Sequence, residues 1–106
     1  MLTIFIEYKI ADGKREEAIG VIAEMERQIQ SRGGMNYRFF EGFDQPGLFV
    51  EMFEVADESA YRDIKQWRTA GGPLEDCIAG GSAKIHVWAF QPIEVKQQEE
   101  KRRGDG

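Results

Sequence analysis

The chain predicts a single α+β domain whose elements run β-α-β-β-α-β. Aromatic and β-branched runs at 2–10, 35–43, 47–56 and 83–92 read as strands. Between the first and second, and the third and fourth, apolar residues recur at helical spacing. Gly and Pro punctuate the junctions, and 106 residues set the size at one core.

The opening run MLTIFIEYKI is broken by Asp12-Gly13. From Lys14 to Arg32 the positions Ala18, Val21, Ile22, Met25 and Ile29 make one long amphipathic helix, stopped by Gly33-Gly34. MNYRFFEGF and GLFVEMFEVA flank Asp44-Gln45-Pro46-Gly47, where Pro then Gly suits the centre of a tight turn. A hairpin is expected that pairs Phe43 with Leu48. Asp57 caps a second helix through Thr69, carrying Ala60, Tyr61, Ile64 and Trp67 at helical spacing, before Gly71-Gly72-Pro73 ends it. A short helical turn over 74–79 and a last strand SAKIHVWAFQ, ended by Pro92, complete a domain of residues 1–92. Residues 93–106, rich in charge and without an aromatic, form a solvated, frayed tail. This order gives a ferredoxin-like arrangement, a four-stranded antiparallel sheet with two helices on one face.

Such a sheet leaves its other face bare, and strand alternation sorts the residues. Ile4, Ile6, Tyr37, Phe39, Val50, Met52, Ile85, Val87 and Ala89 form the helix-facing set. The opposite parity holds Phe5, Glu7, Arg38, Phe40, Phe49, Glu51, Phe53, His86, Trp88 and Phe90. The expected hairpin register also brings Arg38 near Glu51 as an ion pair on that open face. Six aromatics there exceed what a soluble monomer ordinarily exposes. A second copy meeting the first face to face is the simplest cover, since two-fold dimers are the commonest closed assembly. Two such sheets enclose a space with apolar walls and sparse polar groups, which describes a small-molecule pocket.

Other classes are disfavoured. A formal charge of −5 opposes binding to phosphate backbones, so nucleic acid is not an expected partner. Cys77 is the sole cysteine, which excludes an internal disulfide, and one His with one Cys builds no closed transition-metal site. The first strand lacks a basic region and a cleavage site and carries Glu7, so no secretion or membrane contact is expected and the location reads as cytoplasmic. No Walker or Rossmann spacing accompanies Gly71-Gly72 or Gly80-Gly81. These pairs read as helix termination and a mobile connection over 70–82, which could gate a cavity.

The element order, the opening IFIEYKI…GKREEAIGVIAEMERQI, the hairpin FFEGFDQPGLFVEMFEV and the segment DESAYRDIKQW followed by KIHVWAF resemble the dimeric α/β-barrel superfamily, in particular its antibiotic-biosynthesis-monooxygenase-like group, over residues 1–92. The resemblance implies a homodimer. It spans cofactor-independent oxygenases of polycyclic phenols, haem-degrading enzymes, lactone isomerases and proteins of unassigned activity, so it selects no chemistry by itself. Haem degradation is disfavoured, because the first strand has no Asn and no His follows Trp67 within RTAGGPLEDCIAGG.

The candidate catalytic residues are His86, the one side chain that titrates near neutrality, and Glu7, a carboxylate within an apolar strand. Phe5, Arg38, Phe40, Glu51, Phe53, Trp88, Phe90 and Trp67 are the candidate ligand contacts. Each has a structural reading beside it: Trp67 as a core residue, His86 and the Arg38 charges as interface groups, Cys77 as a small buried hydrophobe. The sequence therefore carries three functions. One is a dimer that binds a small aromatic or hydrophobic molecule and acts as a cofactor-independent monooxygenase. Another is a non-catalytic binding or stress-associated dimer of unassigned activity. The last, an isomerase- or lactonase-like enzyme, fits the aromatic face least.

Overall fold

The structure, a computed structural model, describes residues 1–95. The elements are β1 (Leu2–Lys9), α1 (Arg15–Ile22), α2 (Met25–Ser31), β2 (Met35–Glu41), β3 (Leu48–Val55), α3 (Glu58–Thr69) and β4 (His86–Phe90), with 3-10 turns at Glu75–Cys77 and Ser82–Lys84. One antiparallel sheet holds them in the order β2-β3-β1-β4, so the fold is the expected ferredoxin-like one. α3 packs on β1, β3 and β4, and α2 packs on β2. Ile4, Ile6, Tyr8, Phe49, Phe53 and Val55 of the sheet meet Ala18, Ile22, Met25, Ile29 and Ile64 of the helices in a single buried core.

The first helix is two helices rather than one. At the junction the Glu24 amide donates to the carbonyl of Val21, a tighter i→i+3 bond at 3.1 Å that ends α1 before α2 begins. Gly20 weakens α1 nearby, since a glycine inside a helix costs about 1 kcal/mol against alanine. Each segment still buries a pair, Ala18 with Ile22 and Met25 with Ile29. Asp57 caps α3 as expected, accepting from the Ala60 amide at 2.9 Å. The last strand is shorter than 83–92, because residues 82–84 wind into a 3-10 turn. Residues 91–95 are exposed and irregular, and the rest of the expected tail lies outside the described residues.

The register of β3 departs from expectation by one residue, which moves every side chain of that strand to the other face. Glu41 lies opposite Phe49, Phe40 opposite Val50 and Arg38 opposite Met52. Pro46 and Gly47 do occupy the centre of a turn, closed by the Leu48 amide on the Gln45 carbonyl, with Gly47 at φ +89°. That turn closes a loop of residues 42–47 instead of a four-residue link. Glu41 holds the loop, accepting from the Gly47 amide at 2.8 Å and from both Arg15 guanidinium nitrogens. As a result Phe49, Glu51 and Phe53 are buried beside Tyr8, Ile6 and Ile4, while Val50 and Met52 stand on the open face. The expected Arg38–Glu51 ion pair does not exist, because the two residues occupy opposite faces. The other three strands keep their expected parity. β2 manages this through a bulge between Met35 and Arg38, with Asn36 at φ +56° and its amide nitrogen donating to Glu54 at 2.7 Å.

Candidate functional site on the open sheet face

The open face is built by the outward residues of three neighbouring strands. β1 supplies Phe5, Glu7 and Lys9, β4 supplies His86, Trp88 and Phe90, and β3 supplies Val50 and Met52. Phe5 lies opposite Trp88 and packs edge-to-face on Phe90, ring centroids 5.5 Å apart, while His86 and Trp88 stack nearly parallel at 5.5 Å. Trp88 and Phe90 remain about half exposed, at 44% and 53%. With Glu7 and Val50 these rings line a concavity of ≈ 300 Å³, the lower end of small-molecule sites.

Glu7 and His86 are direct cross-strand neighbours, which places their β-carbons roughly 5 Å apart on one face. Neither takes a hydrogen bond from another side chain among the described residues, so both are available to a ligand. Beyond them the face continues into a second concavity of ≈ 270 Å³, walled by Glu7, Lys9, Leu48, Lys84 and His86. Glu7 therefore stands between an apolar hollow and a charged one.

Other candidates fall elsewhere. Phe40 is on this face, opposite Val50, and 47% exposed. Arg38 is on it too, but β2 lies three strand spacings from β4, roughly 14 Å, so within one protomer it shares no ligand atom with His86. Its guanidinium instead lies 3.9 Å from the Met52 sulfur. Trp67 lies on the helix side, partly buried, with the Arg32 guanidinium 4.0 Å above its ring. Cys77 is buried, and that burial, with the Glu17 carboxylate, pushes its thiol pKa up, as suits an unreactive hydrophobe.

Glu51 and Phe53 were expected to touch a ligand, and both are fully buried under the helices. Glu51 accepts two bonds from Arg68, at 2.9 and 2.6 Å, one from the Tyr8 hydroxyl at 2.6 Å and one from the Tyr37 hydroxyl at 2.9 Å. Burial alone would raise the pKa of this carboxyl. The charge and hydrogen bonds of Arg68, joined by the two tyrosines, outweigh that and hold it below the ordinary carboxylate range. Burial and the Glu51 charge push both tyrosines well above their usual value, so they stay protonated donors. The cluster ties α3 to β1, β2 and β3 beneath the site without opening into it. Sequence reasoning missed Arg68 as a buried ion, and no local signal marks it: it follows Trp67 in a polar helix, and only the α3-to-sheet packing gives it a partner. Lys9 and Lys84 were missed as wall residues, although the outward parity of Lys9 with Glu7 was legible.

The fold and this bare, half-apolar sheet face define a small ferredoxin-like α+β protein with a candidate site on its sheet. No protein-family profile matches the chain, and no curated protein sequence matches it significantly. Solved structures do match. One described as an antibiotic biosynthesis monooxygenase superposes with a TM-score of 0.68 at 19% identity, covering 89% of this chain and 100% of that one. A second, from Deinococcus radiodurans and provisionally assigned the same activity, gives 0.67 at 12% identity over 92% of this chain and 97% of the other. PA3566 from Pseudomonas aeruginosa gives 0.67 at 12% identity over 88% and 94%. At these identities the likeness establishes the shared fold, the one that the sequence resemblance implied.

Proposed function

We propose that the chain works as a homodimer joined through the open sheet faces, and that the enclosed space binds a small aromatic molecule and oxygenates it without a resident cofactor. The observation that carries this reading is the concavity over Phe5, Val50, Trp88 and Phe90, whose one charged wall is Glu7 beside His86. The rings stack a planar substrate. His86, the cross-strand neighbour of Glu7, takes the proton of a phenol and leaves an electron-rich anion that reacts with oxygen. One oxygen atom enters the substrate and the other leaves as water, the electrons coming from the substrate itself. The names of the structural neighbours support this class. We assign the protein to the cytoplasm; no helix among the described residues is long and apolar enough to cross a membrane.

The test is an oxygen-electrode screen of a quinol and polyphenol panel, with product mass after labelling by heavy oxygen. Substrate-dependent uptake with one labelled atom per product is expected, falling about 10²-fold or more in His86→Ala. No turnover of any member, or full activity in His86→Ala, would overturn the reaction. A crystal of the dimer with the two sheets packed dry against each other would favour the non-catalytic reading instead.

A further inference from the structure

The charged hollow beyond Glu7 points to a more specific ligand. Among the described residues no carboxylate oxygen lies within 4.0 Å of the side-chain nitrogens of Lys9, Lys84, Arg38 or Lys65, whereas Lys14, Arg15, Arg27, Arg32, Arg62 and Arg68 each have such a partner; of those four, Lys9 and Lys84 share one concavity. In a chain of net charge −5, two cations left unneutralised in one concavity are a local excess of positive charge. Within that hollow they face one carboxylate, Glu7, and one imidazole, His86. Their placement relative to the aromatic hollow is set by the pleat: Phe5, Glu7 and Lys9 succeed one another on the same face, about 7 Å apart per step. The face thus runs from an apolar floor, through an acid–base pair, to a dicationic end.

We infer that the ligand of this site is an anionic aromatic, a ring system seated on Phe5, Trp88 and Phe90 whose carboxylate is held by Lys9 and Lys84. The inference rests on the aromatic-binding reading above and adds the charge that the substrate carries. Arg38 is too distant to serve this role within the protomer, and the lysines lie on the side of Glu7 away from the aromatic floor. A compact ammonium on a flexible stem suits an anion whose exact position differs between substrates.

The experiment compares 2-naphthol with 3-hydroxy-2-naphthoate, which share a fluorescent ring and differ by one carboxylate, titrated into the full chain at low ionic strength. The naphthoate is expected to bind about tenfold tighter. In the double variant Lys9→Met, Lys84→Met that advantage disappears while the naphthol affinity stays, and Lys9→Arg, Lys84→Arg restores most of it. Both lysines are exposed, so the variants should melt as the parent does, which a thermal scan checks. Equal affinities in the parent, or an advantage that survives the Met variant, would overturn the inference and leave aromatic binding standing. Binding of neither probe, in a parent shown to be folded, would overturn both. Loss of dimer in the Met variant would mean that the lysines pair with the second copy and would also count against the inference.

Discussion

Arg68 and Glu51 meet as a bidentate ion pair, 2.6 and 2.9 Å, with neither side chain exposed to solvent. Such a pair stabilises little against an apolar pair of the same shape, but removing one member strands the other in a dry core. Arg68→Met or Glu51→Leu should each destabilise the fold by about 3–5 kcal/mol. The double variant should cost distinctly less than the sum, because no charge is left buried. Denaturant titration of the three variants reads the difference, and simple additivity would show that the pair is not coupled.

The same cluster contributes to the acid limit of the protein, beside Glu41, whose carboxyl the Arg15 and Gly47 hydrogen bonds hold down at about 2. Glu51 is held below the pKa of about 4.3 that it has in the unfolded chain, so its contribution is complete above that value and is lost as pH falls through the folded pKa. Tyr8 and Tyr37 are shifted up, so their contribution is complete below about pH 10 and fades above it. Stability should therefore form a plateau between these limits and fall on both sides. Tyr8→Phe should lower the plateau by about 1.5–3 kcal/mol, the worth of a hydrogen bond to a charged acceptor. It should also lessen the acid dependence, since the pKa of Glu51 then moves back toward its unfolded value. Denaturant midpoints measured from pH 3 to 11 test both limbs.

The inverted face of β3 has a direct consequence for alanine scanning. Phe49 and Phe53 are 1% and 0% exposed, so each alanine substitution should cost about 3–5 kcal/mol. Phe40 and Phe90 are about half exposed, and their alanine variants should leave the melting temperature of a dilute, monomeric sample within the few degrees that about 1 kcal/mol moves it. If Phe53→Ala proved mild and Phe40→Ala severe, the register of the hairpin would be wrong.

Trp88 lies on the edge strand β4 of the proposed dimer face, opposite Phe5 of β1. Trp88→Asp should yield a folded monomer by light scattering and weaken naphthol binding. A dimer of unchanged affinity would place the interface elsewhere on the molecule.

The sequence alone determined the element order, the boundaries of most elements, the Asp57 cap, and the outward parity of β1, β2 and β4, because these rest on local periodicity and turn chemistry. It also offered Glu7 and His86 as candidates, and the sheet makes them neighbours. The face of β3 was decided by tertiary structure. Both parities of LFVEMFEV are largely apolar, and the charge of Glu51 argues for solvent when the strand is read alone. Glu51 faces inward because Arg68, seventeen residues on, and two tyrosines on other strands supply its hydrogen bonds. A buried charge is tolerable only where distant groups converge on it, and convergence belongs to the packed fold rather than to any segment. The hollow lined by both Lys9 of β1 and Lys84 before β4 is likewise a product of strand pairing between residues far apart in the chain.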